Sequence, residues 1–372
     1  MDFSLSEEQQ AVAAAAHRIL DGFATPQRLT EIEARDQRFD AELWGELANA
    51  DLLGIAIPGE FGGSGHGFGE LCVLLVEAGL HVAPIPLYPT LVLGAPPIAR
   101  YGTDEQRRRI LPAVVAGDVK LSAGLAEPGQ SFPGHPSTIA TPDGTRWRID
   151  GQKALVPWAQ LSERIVVPAA TGEASVGVFL VDPTDPGVEV RPVVTTSGEP
   201  HADVGLSGAV VEAGDVVGDP TAGQQIASFL QLNAVVGLCA LQLGVSERAL
   251  RLAADYVTTR EQFGRAIGSF QAVQQRMADA FIDIEAMRWT MWQAVWRIAA
   301  AMPAEREAGI AKFWASEAGP RVVATAQQVH GGVGIDVSYP LHRYFLWTKQ
   351  LELTLGSAPF HLARLGASYV DA

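Results

Sequence analysis

Hydrophobic and polar positions fall into three regimes along the chain. Over residues 1–117 the apolar residues recur at helical spacing. Ser6-Glu7-Glu8-Gln9 sets a hydroxyl three residues ahead of a glutamine, the pairing of a capping box, before an alanine-rich run. Residues 58–69 (PGEFGGSGHGFG) carry too much glycine for a helix and predict a loop, whereas residues 70–79 (ELCVLLVEAG) predict a buried helix. Over residues 118–220 Pro, Gly, Thr and Val rise. Short runs there (RWRIDG, RIVVPA, VGVFLV, GVEVRP) are bounded by turn residues, which predicts an antiparallel sheet or small barrel. Over residues 221–372 the helical rule returns. Leu238, Leu241, Val245, Ala249, Leu252 and Tyr256 are spaced 3, 4, 4, 3 and 4, one face of a helix. Phe270, Val273, Met277, Ala280, Ile284, Met287, Met291, Val295 and Ile298 extend the rule through a stretch free of Gly and Pro. Long regular helices of this kind pack as bundles. Pro320 predicts a kink in a third helical region.

Charge narrows the function. The 27 basic against 42 acidic side chains leave a formal charge of −15, which argues against a nucleic-acid binder that tracks phosphates with a basic face. An anionic ligand would need a local basic group or free backbone N–H donors. Cys72 and Cys239 both sit in apolar runs, outside any CxxC or histidine-rich context, so two buried structural thiols are expected rather than zinc or redox chemistry. The opening MDFSLSEEQQAV lacks the basic n-region of a signal peptide. No run reaches the roughly 18 uninterrupted apolar residues of a membrane span. A soluble, cytoplasmic protein with no membrane partner is expected, and sparse cysteine fits a reducing compartment.

Candidate chemistry concentrates in residues 256–280, YVTTREQFGRAIGSFQAVQQRMADA. A helix is expected to end near Thr258, Arg260 to lie in the connection before Gly264, and a second helix to start near Ser269 or Phe270. Such a join can present an arginine fork and free N–H groups to a diphosphate. On the residues alone, a structural ion pair at Arg260, with glycines that merely turn the chain, is the preferred reading.

This segment, read as RxQFGxxIxxFQxVQ, resembles the acyl-CoA dehydrogenase signature. The resemblance covers nearly the whole chain: MDFSLSEEQQ is similar to the family's opening, LLGIAIPGEFGGSG to its first loop and AEPG to the start of its middle domain. AKFWASEAGPRVVATAQQVHGGVG is similar to its penultimate helix and QxxGGxG turn. The resemblance implies a mostly α fold with a β middle domain: an N-terminal helical domain (1–117), a middle β-barrel or sandwich (118–220) and a C-terminal four-helix bundle (221–372). It also implies FAD and a dimer-based assembly, and a reaction in which a carboxylate takes the α-proton of an acyl-CoA while the β-hydrogen leaves as hydride to the flavin. By the same resemblance, Arg260, Phe263, Gly264 and Gln271 match residues that hold the FAD of a neighbouring subunit, and Gln328, Gly331 and Gly332 match a second element serving it. A GGxG by itself would read as a helix cap and loop.

The departures from the family cluster at the catalytic positions. Thr354-Leu355-Gly356-Ser357 occupies the place of a Tyr-Glu-Gly-Thr segment, so Leu355 stands where the base is expected. Some members carry the glutamate on the helix before Tyr256, and there this chain has Ala234, flanked by Asn233 and Val235. Ala126 replaces a threonine ahead of Glu127-Pro128-Gly129, and Phe132 falls near a serine position. Leu155-Val156-Pro157-Trp158-Ala159 replaces the Trp-Ile-Thr-Asn-Gly strand that backs the flavin ring, and Pro157 removes an N–H donor. Elements expected to serve a neighbour's FAD are retained while those serving its own are lost. This division resembles the base-lacking subunit of heteromeric actinobacterial steroid side-chain acyl-CoA dehydrogenases. It implies a glutamate-bearing partner in a heterotetramer, with an acyl-CoA substrate. A homomeric flavoenzyme with other chemistry and a flavin-free scaffold are the alternatives.

Other residues have plainer explanations. Glu352, one helical turn before Leu355, is expected to be an ion-pair carboxylate. His330, His342 and His361 are expected to be hydrogen-bonded structural groups. Trp289, Trp292 and Trp296 are expected in bundle or subunit packing. Arg343 reads equally as a phosphate ligand or an ion-paired residue.

Overall fold

A computed structural model describes residues 4–131 and 136–370, so Phe132 lies outside the described residues. Helices α1 (Glu7–Phe23), α2 (Pro26–Glu33), α3 (Ala41–Asn49), α4 (Phe68–His81), α5 (Ala95–Tyr101) and α6 (Asp104–Val115) come first. Strands follow: β1 (Leu121–Ala123), β2 (Ile139–Asp143), β3 (Arg146–Pro157), β4 (Arg164–Ala170), β5 (Val176–Val181), β6 (Val188–Val193), β7 (His201–Glu212) and β8 (Val216–Val217). Helix α7 (Gln224–Thr259) leads into a hairpin of β9 (Glu261–Gln262) and β10 (Arg265–Ala266). Helices α8 (Gln271–Ala299), α9 (Glu305–His330), α10 (Leu341–Leu353) and α11 (Ala358–Val370) complete the order. The capping box at the start of α1 forms as its spacing predicts. The Ser6 hydroxyl accepts from the Gln9 N–H at 3.2 Å, and the Gln9 side-chain oxygen accepts from the Ser6 N–H at 3.1 Å.

The chain forms two compact units. One comprises the described residues of Ile32–Leu71 and Pro84–Ala234. Its centre is an eight-stranded sheet in the order β6-β7-β3-β2-β4-β5-β8, with β1 also paired to β4. Most neighbours are antiparallel, as the short bounded runs predict, but β1 and β2 both run parallel to β4. Strand β7 (HADVGLSGAVVE) is a central strand that Gly205 and Gly208 hide from a simple apolar-run reading. Ile149, Ile165, Val167, Phe179, Val204 and Val211 form the apolar core on the sheet. Burying each such side chain stabilises the unit by about 1.5–3 kcal/mol relative to exposure.

The other unit comprises the described residues of Met1–Glu31, Cys72–Ala83 and Val235–Ala372. Helix α9 is its hub and packs against α8, α10 and α11. Small buried residues on α9 (Ala308, Ala311, Ala315, Ala318 and Gly319) let these helices approach. Pro320 lies inside α9, which runs through it unbroken from Glu305 to His330. Helices α4 and α7 meet through a reciprocal pair of glycines. A Cβ on Gly244 would fall 2.0 Å from the Val76 carbonyl oxygen, and one on Gly79 would fall 2.2 Å from that of Leu241. Helix α7 is long and apolar enough to cross a bilayer, but 78% of its most apolar window is buried within the protein, so it is a core helix. Cys72 and Cys239 are both buried free thiols, and burial pushes Cys239 up to about 12.

Candidate functional site

Helix α7 ends with the Thr258 and Thr259 hydroxyls turned back onto the Asp255 carbonyl. The chain then makes a two-residue hairpin turn, with Gln262 paired to Arg265. Phe263 (φ 55°) and Gly264 (φ 80°) at its tip are both left-handed, the geometry of a type I′ turn. A bulky aromatic there is a backbone outlier, yet Phe263 is 93% exposed, so no core packing within this chain holds it. The Arg265 guanidinium lies 4.0 Å over the Phe270 ring, and the Ile267 N–H bonds the Arg260 carbonyl to close the loop.

Helix α8 then starts without a side-chain cap and with no acidic residue in its first turn. Its open N–H groups and dipole favour an anion. Among the described residues, neither the Arg260 nor the Arg276 guanidinium finds a carboxylate. In a chain of formal charge −15 this is the local basic group that an anionic ligand requires.

The second element is joined to the first by an aromatic stack. Tyr256, one turn before Arg260, lies ring on ring with His330 at the end of α9, centroids 4.3 Å apart. Burial keeps His330 low, and its two ring nitrogens bond the Ala326 carbonyl and the Tyr339 hydroxyl, so it is a structural group. Gly331 follows at positive φ (61°), turning the chain off the helix. Gly332 has no such backbone need, and a Cβ there would meet nothing within 4 Å of this chain. Among the described residues, the space beside Gly332 is therefore open. Gln328, one turn back, lines an open groove of about 600 Å³ between α8 and α9 with Arg276, Asp279, Asp283, Arg321 and Thr325. Asp283 holds Arg321 through two hydrogen bonds of 2.6 and 2.9 Å.

Arg260, Phe263, Gly264, Gln271, Gln328, Gly331 and Gly332 are all exposed, on two elements that the Tyr256–His330 stack brings together. Arg265 and Arg276 belong to the same surface and escaped the motif reading. No spacing signal marks them, since Glu261 lies four residues from Arg265 and Asp279 three from Arg276.

The Leu355 turn offers no base. Leu355 adopts φ 55° and is buried, and its carbonyl receives a hydrogen bond of 3.0 Å from His361 Nε2. Lys312, fully buried and pushed down to about 8 by desolvation, caps the end of α10. It donates to the Leu351 and Glu352 carbonyls at 2.8 and 3.2 Å, and to the Ser316 hydroxyl at 2.7 Å. Burial also holds His361 at about 4. The Glu352 carboxylate is taken by Lys349 at 2.7 Å, the ion pair expected of it. Asn233 and Ala234 on α7 are buried, and among the described residues the Asn233 amide oxygen finds no partner; neither side chain can accept a proton near neutrality. Arg343 is buried and donates to the Thr30 hydroxyl, and His342 bonds the Tyr339 carbonyl. Trp289 and Trp296 stay 46% and 39% exposed on α8, a face suited to subunit packing rather than the bundle core.

In the sheet-containing unit, Glu127 is a buried carboxylate enclosed by donors. It accepts from Lys153 Nζ at 2.5 Å and from the backbone and side chains of Ser137 and Thr138. Burial pushes this carboxyl up, but the Lys153 ammonium and the hydroxyls outweigh it and bring it to about 2. The pair pins the loop after Ala126 to β3. Further along β3 the pairing with β7 shifts register between Lys153 and Val156. Leu155 turns to φ 51° and points outward, 47% exposed, and its N–H is spent on Asp203. Pro157 has no N–H, and the Trp158 N–H goes to the Pro200 carbonyl at 2.7 Å. None of these N–H groups is left for a ligand, so the residues present do not form a donor wall for a flavin ring.

Known proteins resemble this chain along its whole length. Residues 6–118 match the acyl-CoA dehydrogenase N-terminal domain, and residues 226–369 match the acyl-CoA dehydrogenase C-terminal domain. The chain is 39% identical to acyl-CoA dehydrogenase FadE27 of Mycobacterium tuberculosis, over 100% of this chain and 99% of that protein. Among solved structures it is similar to a Tcur3481–Tcur3483 steroid acyl-CoA dehydrogenase variant (44% identity, TM-score 0.92, 99% of each chain covered). It is likewise similar to the ChsE4–ChsE5 complex from Mycobacterium tuberculosis (39% identity, TM-score 0.94, 100% of each chain covered). The helical and β elements, the arginine hairpin and two matched domains spanning most of the chain lead to one assignment: this chain belongs to the acyl-CoA dehydrogenase family, whose members are FAD flavoproteins.

Proposed function

We propose that this chain is the base-lacking subunit of a heteromeric acyl-CoA dehydrogenase, and that it completes an FAD site whose catalytic carboxylate belongs to a partner subunit. One contrast carries the reading: a buried leucine fills the turn of the family's base, while seven family-matched cofactor residues remain exposed on joined elements. FAD, when bound, supplies the acceptor for the β-hydrogen. On this chain Arg260, Gln271 and Gln328 would hold the anionic and polar parts of the cofactor. The open N-terminus of α8 adds donors, and Gly331 and Gly332 allow close approach. Abstraction of an α-proton requires a base poised near the thioester, and neither Leu355, Ala234 nor Asn233 can accept one.

The similarity to a protein named as a steroid acyl-CoA dehydrogenase supports a steroid side-chain acyl-CoA as substrate, and the similarity to a two-component complex supports a heteromeric assembly. The test is co-expression with an acyl-CoA dehydrogenase chain that carries the glutamate. The complex is expected to co-purify with FAD and to desaturate an acyl-CoA, whereas the chain purified alone retains little flavin. Stoichiometric FAD and dehydrogenation by the lone chain would overturn the proposal.

A further inference from the structure

A second cluster of ligand-bearing side chains lies on α1 and α4, in the same compact unit as the arginine hairpin but on other elements. His17 and Asp21 are one turn apart on α1, and Glu77 and His81 are one turn apart on α4. Each helix therefore presents an imidazole and a carboxylate on one face. Across the two helices His17 Nδ1 lies 3.0 Å from Glu77 Oε2, and His81 Nε2 lies 3.8 Å from Asp21 Oδ1. The ligand atoms of His17, Glu77 and His81 all fall within 4.8 Å of one another. First-row divalent ions are bound by imidazole nitrogen and carboxylate oxygen about 2 Å from the metal, so ligand atoms of one site lie roughly 3–4 Å apart. The cluster needs only small side-chain rotations to reach that spacing.

The hydrogen bonding of His81 favours a ligand role. Its Nδ1 lies 2.8 Å from the Glu77 backbone carbonyl, which can only accept, so Nδ1 carries the proton. A ligating histidine is oriented by this same contact, an N–H donated to a carbonyl from the ring nitrogen away from the metal. With the proton on Nδ1, a neutral ring offers its lone pair at Nε2. That lone pair faces the Asp21 carboxylate, an acceptor opposite an acceptor, and a cation between them would relieve the mismatch. The His17 and His81 rings meet edge to face, centroids 5.2 Å apart, so both imidazoles are already gathered. Arg248 and Arg251 on α7 oppose a cation here, and Glu247, which pairs with Arg251, favours one.

We propose that His17, Glu77 and His81, with Asp21 as a fourth ligand, form a binding site for a borderline divalent metal ion of the Zn²⁺ type that ties α1 to α4. The site is structural: four protein ligands leave no open position for substrate. Metal binding takes the place of the hydrogen bond between His17 and Glu77.

Tag-free chain, stripped with a chelator, is titrated with Co²⁺ and followed by the visible absorption of the tetrahedral ion, then challenged with Zn²⁺. One Co²⁺ per chain, displaced by Zn²⁺, is expected, together with a higher thermal midpoint in the presence of Zn²⁺. His81→Gln is expected to abolish binding. His17→Gln changes a side chain that is 51% exposed and leaves the fold intact, and it is expected to weaken Co²⁺ binding by at least about tenfold. Absence of saturable Co²⁺ absorption up to millimolar concentrations, or His17→Gln binding Co²⁺ as tightly as the parent chain, would overturn the site.

Discussion

Burial holds the Glu199 carboxyl at about 7, and hydrogen bonds from the Trp158 indole and from Ser197 offset only part of that rise. The folded chain therefore keeps a proton that the unfolded chain releases near 4.5. Below that pH both states are protonated and the group costs nothing. As pH rises toward 7 the unfolded state ionises first, and folding loses stability until both states are ionised. Glu199→Gln keeps an acceptor for the indole without the ionisation. It is expected to stabilise the chain by about 2 kcal/mol at pH 8 and by almost nothing at pH 4. Denaturant titrations at the two pH values check this, and an equal gain at both would contradict the account. The carboxyl lies beside the Leu155–Trp158 stretch, where three left-handed or proline positions have replaced a regular strand end, so the strain and the perturbed acid share one region.

At the scale of elements, the arginine hairpin combines an unfavourable turn residue with full exposure. Asn is far better suited than Phe to the first position of a type I′ turn, because its short polar side chain tolerates left-handed backbone. Phe263→Asn is expected to raise the stability of the isolated chain by up to about 1 kcal/mol. If Phe263 serves the cofactor, the same change lowers FAD retention by the assembled complex. Thermal melts of the chain and flavin content of the complex separate the two effects, and a variant that retains FAD fully would remove Phe263 from the proposed site.

The helix-to-helix join was legible in the sequence because its residues are local: Arg260, Gly264 and Gln271 lie within twelve residues, between two helices with strong periodicity, whereas the hairpin inside the join was not expected. The ends of α7 and α8 fall within two residues of where the pattern puts them. Strand β7 and the parallel pairing of β1 and β2 to β4 were not legible, because sheet register depends on partners distant in the chain. The His17–Glu77 pairing joins residues sixty apart and shows no signal in either helix taken singly. Arg276 and Gln328 share a groove for the same reason of packing, which no spacing within one helix encodes.

For the whole molecule the question is how many working centres an assembly holds. Leu355→Glu returns a carboxylate to the turn, yet the chain still lacks ring-side donors at Leu155 and Pro157. In a complex with the glutamate-bearing partner this variant is expected to turn over at the parent rate, not at double that rate, with unchanged flavin content. Doubled turnover in steady-state assays would mean that the leucine alone silences a complete second centre. Against the formal charge of −15, Arg260, Arg265 and Arg276 form a local basic patch on this surface.

The turn at Leu355 is held by its backbone. Lys312 grips the carbonyls at the end of α10, and His361 grips that of Leu355 itself, so neither contact reads which side chain the position carries. A change between leucine and glutamate at this position therefore leaves the backbone path of the turn in place, and its cost is confined to the surroundings of the side chain itself. The Leu155–Trp158 stretch is of the other kind, since its backbone path and the use of its N–H groups are set together, and no single side-chain change there would restore a regular strand.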